Sequence, residues 1–236
     1  MQPLHPLIKD LLDLETLKTW SVIATLFGDF DGEQMTGSQI REPLGHLGIK
    51  PEAIRVALHR LKINGWIIAD RQGREAVYRL SPHGRSETRV AAKDVYRQDV
   101  KFPEGWQFVL TREDLAVAEA VPISKDVMLV PTGMIPEGPE TLALNTTGAD
   151  LPLWIVEQLV PPRLLQNVES LTAVLQKVAM ADQDISCMDA KCLRLLTLHH
   201  WRRLALRPGS WAHISLHPHG GLARCHAVIT GYLSHT

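Results

Sequence analysis

KPEAIRVALHRLKINGW (residues 50–66) runs straight into WIIADRQGREAVYRLS (66–81) and then PHGRSETRVAAKDVYRQ (82–98). In the first segment Ile54, Ala57, Leu58 and Leu61 recur at i, i+3, i+4 and i+7, the spacing of a helix with one buried face. Pro51 suits the first helical position, and Asn64-Gly65 suits the end, because both residue types tolerate the left-handed conformation needed there. The opposite side is left with Arg55, Val56, His59, Arg60 and Lys62. Two strands, Trp66–Ala69 and Ala76–Leu80, are expected around a tip Asp70–Glu75 in which Gly73 permits the turn. A basic helix feeding a ribbon with a basic tip is the layout of a winged helix-turn-helix. In that layout one helix enters a DNA major groove and the ribbon tip reaches the neighbouring backbone. Arginine can clasp guanine O6 and N7, and Val56 suits a thymine methyl. Arg71 and Arg74 are expected on phosphates, where contacts position the protein without reading sequence.

The segments on either side agree with this layout. TLKTWSVIATLFGD (16–29) predicts a helix with Trp20, Ile23, Ala24 and Phe27 inward. Ser38 is expected to cap a second helix, QIREPLGHLG, with Ile40 and Leu44 inward, and joins the candidate DNA-binding residues. Ser81-Pro82 should open a further helix to about residue 98. Its Arg85, Arg89, Lys93 and Arg97 repeat every four residues, either as a solvated face or as a further DNA or interface contact.

Composition sets the outer bounds. With 236 residues the chain can form two or three small domains, and 45 % hydrophobic and 22 % charged content describe an ordinary globular protein. No apolar run approaches the roughly 18 residues needed to span a bilayer, and no signal-peptide pattern is seen, so a cytoplasmic location is expected. Cys187, Cys192 and Cys225 lack CxxC spacing and read as reduced thiols, with packing favoured over a redox role for Cys187 and Cys192. The net charge of −1 conceals a partition: −4 over residues 1–49, +6 over 50–101, −6 over 102–165 and +3 over 166–236. The strongest positive field falls on the candidate reader.

The series SVIATLFGDF, LGI, R-x-ALHRLKINGWI and RQGREAVYRLSPHGR resembles the PaaX family of bacterial transcriptional repressors, whose members control phenylacetate catabolism and related aromatic pathways. Arg55, Arg60, Leu61, Gly65, Trp66, Gly73, Arg74, Tyr78 and Leu80 carry the resemblance, over about residues 16–90. It implies a homodimeric repressor on an inverted-repeat, double-stranded DNA operator, released by a small-molecule effector of the aromatic acyl-CoA class such as phenylacetyl-CoA.

Downstream, GWQFVLT, DVMLVPT and TLALNTT read as short β-runs, with LPLWIVEQLV (151–160) as a helix. The resemblance implies a small ferredoxin-like, Cas2-like middle domain here. Only REDLAVAEAVPISK is available for the helix between the first two strands. Residues 162–206 read as two helices, the first with Leu165, Val168, Leu171, Leu175 and Val178 in a stripe. In the second, from about Asp189 to Leu206, His199, Arg202 and Arg203 share a face at i, i+3 and i+4. His199, Trp201, Arg202 and Arg203 match part of the family's C-terminal motif, whereas His200 replaces an acidic residue and HPHGG (217–221) replaces a Trp-Pro-Gly element. The resemblance makes these four the candidate effector-binding residues, since guanidinium groups suit CoA phosphates. The competing reading is structural, with the arginines satisfying carboxylates or helix ends.

The expected fold class is thus α+β and multi-domain: a winged helix-turn-helix at 1–101, a small α+β domain at 102–161 and a helical domain at 162–236. No catalytic motif is present, and no cofactor or metal is expected. Two other functions stay open. The histidines His199, His200, His213, His217, His219 and His226 suggest a metal-sensing regulator, and the Cas2-like middle domain suggests a nuclease.

Overall fold

The computed structural model describes residues 4–30, 34–100, 105–112, 120–134, 140–146, 154, 162–180, 185–207, 209–217 and 219–235. They hold nine helices and two small antiparallel sheets, an α+β fold. The chain divides into two compact units, each built from two stretches. One is Met1–Arg97 with Ala173–Arg203, and the other is Gln98–Thr172 with Leu204–Thr236.

The first unit begins with α1 (Pro6–Asp13), α2 (Thr19–Gly28), β1 (Met35–Thr36), α3 (Gly37–His46) and α4 (Pro51–Ile63). It continues with β2 (Ile67–Gln72), β3 (Glu75–Leu80) and α5 (Pro82–Val95). The α1 helix, absent from the sequence reading, buries Ile8 and Leu11. In α2 the inward face is Val22, Ile23, Ala24 and Phe27. Trp20 departs from expectation: it sits in the first turn, 38 % exposed, and the Arg60 guanidinium lies 5.8 Å from its ring centroid. The cap of α3 is Thr36 and not Ser38. Thr36 Oγ1 accepts from Gln39 N while Gln39 Oε1 accepts from Thr36 N, a reciprocal capping box encoded by T-x-x-Q. Ser38 lies inside the first turn.

The hairpin is longer than predicted. Its ladder runs from Ile67↔Leu80 to Gln72↔Glu75, so most of the expected tip is strand and only Gly73-Arg74 turn. Gly73 takes φ 61°, the left-handed region that two-residue hairpin turns require. Polar residues can extend a ladder that projects into solvent, which the apolar pattern could not reveal. β1 pairs with β3 through Met35↔Tyr78 and Thr36↔Val77, giving the order β1-β3-β2. Ser81 Oγ accepts from Gly84 N to start α5 and donates to Gly65 O. A Cβ at Gly84 would lie 2.1 Å from Trp66 O, so α5 can press against the start of the hairpin only through a glycine.

In the second unit β4 (Trp106–Thr111), β5 (Val121–Ser124), β6 (Val127–Pro131) and β7 (Thr141–Asn145) form a sheet of order β5-β6-β4-β7, antiparallel throughout. Strands β4, β6 and β7 occupy the three predicted runs. β5 is a correction, because VPIS belongs to the stretch read as helix. Residues 113–119, and the helix expected at 151–160 apart from Trp154, lie outside the described residues. The helices that follow are α6 (Pro162–Met180), α7 (Cys187–Ala205), α8 (Ser210–Leu216) and α9 (Gly221–His235). Within the second unit Val168 and Leu171 of α6, Ile214 of α8, and Leu222, Cys225 and Ile229 of α9 are buried. Among the described residues no helix is long and apolar enough to cross a membrane.

The α7 helix belongs to the first unit up to Arg203. It buries Cys192, Leu193, Leu195, Leu196, Leu198 and Trp201, so apolar contacts surround most of its circumference.

Candidate nucleic-acid interface

One face of α4, Ile54, Ala57, Leu58 and Leu61, is buried, which fixes what the other face presents. Val56 (58 % exposed), His59, Arg60 and Ile63 (70 % exposed) recur at i, i+3, i+4 and i+7. Two open apolar side chains therefore bracket a histidine and an arginine along a single stripe. Ile63 was missed in the sequence reading, although its spacing of seven from Val56 carries the signal. Arg55 is tied to Glu52 of its own helix by contacts of 3.1 and 2.5 Å. That hydrogen bond and the paired charge raise the Arg55 pKa and lower that of Glu52. Both side chains stand in solvent, where such pairs exchange readily.

Beside this stripe, an open groove of about 740 Å³ is lined by Lys18, Trp20, Lys50, Val56 and Arg60, among others. Lys18 and Lys50 occupy the N-cap positions of α2 and α4, and neither helix end receives a side-chain cap. These lysines and Trp20 were also missed as site residues: Lys18 falls outside the basic segment, Lys50 precedes the helix whose open side was read, and Trp20 was assigned to the core.

At the hairpin turn, Arg71 Nε donates to Gly73 O at 3.2 Å, and Arg79 pairs with Asp70 at 3.3 Å. Among the described residues Arg74, His59 and Lys62 make no hydrogen bond or ion pair, and all three are exposed. Ser38 N donates to Glu75 Oε1 at 2.8 Å, and Ser38 Oγ accepts from Arg41 at 3.3 Å. The bonds from Ser38 hold the Glu75 carboxyl below its usual range. The structure thus brings Ser38 to Glu75, where the second strand leaves the hairpin turn, and puts Arg55, Val56, His59, Arg60 and Lys62 on the open side of α4.

The four effector candidates have different surroundings. Trp201 is 1 % exposed and its indole N–H donates to Val95 O at 2.8 Å. His199 is buried beside Thr25 Oγ1 at 3.5 Å, and burial pushes its pKa down to about 3. Arg203 pairs with Glu15. Arg202 is half-buried, and desolvation lowers its pKa. It lines a cavity of about 20 Å³ together with Thr25, Thr88 and Tyr96. That volume is room for about one water molecule. The neighbouring His200 Nε2 bonds Leu11 O at 2.9 Å.

Among the described residues no group of three or more His, Cys, Asp or Glu side chains is placed to hold a metal ion. The three cysteines are free thiols, and burial raises Cys192 to about 12 and Cys225 to about 11.

Comparison with known proteins points at the same stretch of chain. Residues 18–84 match the family model described as PaaX-like protein. The transcriptional repressor PaaX of Escherichia coli is 30 % identical over 132 residues, covering 54 % of this chain and 42 % of that protein. The match thus spans less than half the length of that repressor. An uncharacterised protein of Mycobacterium tuberculosis, Rv0674, is similar in structure with a TM-score of 0.49 at 16 % identity, covering 93 % of this chain and 97 % of that one. What the comparisons establish is a similarity to the PaaX-like family, carried by residues 18–84.

Proposed function

We propose that this protein is a DNA-binding transcriptional repressor and not an enzyme, with α2 to β3 acting as a winged helix-turn-helix. The carrying observation is the open stripe Val56, His59, Arg60 and Ile63 on α4, flanked by the Lys18–Lys50 groove, together with the exposed Arg74 at the hairpin turn. In this reading α4 enters the major groove. Arg60, and Arg55 once released from Glu52, meet guanine edges, while Val56 and Ile63 meet thymine methyls. Lys18, Lys50, Lys62, Arg71 and Arg74 neutralise phosphates, and Ser38 holds the hairpin turn in place. The family match covers the same residues, which supports the assignment.

The reading extends to a cytoplasmic homodimer on an inverted repeat, with its two α4 helices about one helical turn, or a multiple of it, apart. Release by an effector of the aromatic acyl-CoA class needs a coupling of only about 1–3 kcal/mol between the two sites. The order β5-β6-β4-β7 is the arrangement a ferredoxin-like sheet requires, which supports a middle domain of that type.

Fluorescence anisotropy of the full chain tests the reading. A labelled duplex from the region adjoining its own gene is compared with a scrambled duplex at one fixed salt concentration. Preference for the native duplex, lost in Arg60→Ala, is the expected result. Equal affinity for both duplexes would remove the repressor reading.

A further inference from the structure

The first unit holds a second cavity, of about 250 Å³, away from the α4 stripe. It lies between the end of α2, β1, α3 and α7. Its apolar surface comes chiefly from Leu26, Met35, Pro43, Met188 and Leu195. Three contacts fix the spacing of its walls. Arg194 holds Asp29 through two bonds of 2.7 Å, His46 Nε2 meets Asp189 Oδ1 at 2.7 Å, and Cys192 Sγ donates to Pro43 O at 3.6 Å. Protein interiors are close-packed, so a pinned concave space of this size is a feature of the fold and not slack in its packing. Its volume falls below the roughly 300–1,000 Å³ of sites for drug-sized ligands, which suits one ring or one branched chain and excludes a nucleotide.

The charges at this cavity narrow the chemistry further. Asp29 is committed to Arg194 and accepts from the Tyr96 hydroxyl at 3.0 Å. Two charges remain, Lys191 on α7 and Glu42 on α3. Both are exposed and, among the described residues, neither makes an ion pair. One open cation and one open anion above an apolar floor complement a small molecule carrying both charges and an apolar body.

We propose that this cavity binds an apolar α-amino acid. Its carboxylate meets Lys191, its ammonium meets Glu42, and its side chain rests on Met35, Pro43 and Leu195. Because the ligand would lie between α3 and α7, and α3 leads directly into α4, occupancy would bias the attitude of the reading helix. That consequence rests on the DNA-binding reading above, whereas binding itself does not.

Calorimetry on the full chain, without DNA, tests the site with three probes: L-phenylalanine, 3-phenylpropanoate (no ammonium) and 2-phenylethylamine (no carboxylate). L-phenylalanine is expected to bind tightest. Lys191→Gln should weaken it about fivefold while leaving 2-phenylethylamine unchanged, the size of one solvent-accessible ion pair. Glu42→Gln should weaken L-phenylalanine by a similar factor while leaving 3-phenylpropanoate unchanged. Both substitutions fall on exposed side chains, so an unchanged thermal midpoint certifies the fold. Absence of binding by all three probes, or an equal effect of each substitution on all three, would overturn the site. Repeating the anisotropy titration with L-phenylalanine then separates the two claims. Binding without any effect on DNA overturns the regulatory link alone.

Discussion

Helices α4 and α7 share one electrostatic grammar and have opposite fates. Each carries an acid in its first turn, Glu52 or Asp189, and two arginine or lysine residues in its last, Arg60 with Lys62 or Arg202 with Arg203. Both patterns complement the helix dipole. On α4 the apolar residues keep to one face and the cations remain open to solvent. On α7 the apolar residues surround the helix, and three of its charges are taken up inside the first unit, Asp189 by His46, Arg194 by Asp29 and Arg203 by Glu15, while Lys191 stays open. A basic residue is available to a ligand only where its neighbours leave it unpaired. Substitutions of the buried or paired side chains of α7 should therefore cost stability, and substitutions on the open side of α4 should cost binding.

The contrast is sharpest at Trp201. Trp201→Ala removes a fully buried side chain and leaves the Val95 carbonyl without its donor. A loss of about 3–5 kcal/mol is expected in urea unfolding. Val56→Ala, on the open side of α4, should stay within about 0.5 kcal/mol. Similar costs at the two positions would erase the distinction between the helices.

Acid should attack the α7 side first. His199 is neutral in the folded state, with its pKa pushed down to about 3 by burial, from the ordinary histidine value of about 6.5. Below pH 6.5 the unfolded chain takes up a proton that the folded chain refuses. This contribution is therefore intact above that value and is lost as pH falls toward 3, by up to about 1.4 kcal/mol per pH unit. His213, held at about 4 by burial, contributes with the same sign in the second unit. Urea midpoints measured between pH 7.5 and 5 should fall, and His199→Gln should flatten that dependence even though the variant is less stable throughout. An unchanged slope would mean that His199 is protonated in the fold.

On α4, Arg60→Ala is expected to cost about 1–3 kcal/mol of affinity for the operator and to relax its preference at one base pair, with no change in urea midpoint. Arg55→Ala should cost less, because Glu52 already holds that guanidinium in the free protein. Anisotropy against operators with single base changes distinguishes the two, and a larger loss at Arg55 would place it, not Arg60, at the centre of the reader.

Much of α4 was legible in the sequence because a half-buried helix writes its burial as a period: Ile54, Ala57, Leu58 and Leu61 point inward and the remainder follows. The same rule failed at Trp20, since a large apolar residue in a first turn can project past the core and stack under an arginine. The Thr36 cap was encoded by Thr36 and Gln39, but Ser38 offered a plausible alternative two residues on. The α7 helix was recognised as largely buried, yet its place in the first unit was hidden. The partners of His199, His200 and Trp201 are Thr25, Leu11 and Val95, more than a hundred residues away, and nothing local in the sequence records such pairings. The apolar cavity between α3 and α7 was illegible for the same reason.

The smallest expected effect is the most diagnostic of how the hairpin is used. Arg74 occupies a two-residue turn, is exposed and has no partner among the described residues, so Arg74→Ala should leave folding untouched. If its guanidinium neutralises one phosphate, the variant loses affinity for operator and scrambled duplex by the same factor. The slope of log affinity against log salt should then become shallower by about one. Lys18→Ala and Lys50→Ala, in the groove beside the reading helix, should each behave likewise. A base contact cannot produce that signature, because it alters preference between sequences while releasing no additional counterion. If Arg74→Ala instead changes preference and leaves the slope alone, the turn reads bases, and the division of labour between α4 and the hairpin must be redrawn.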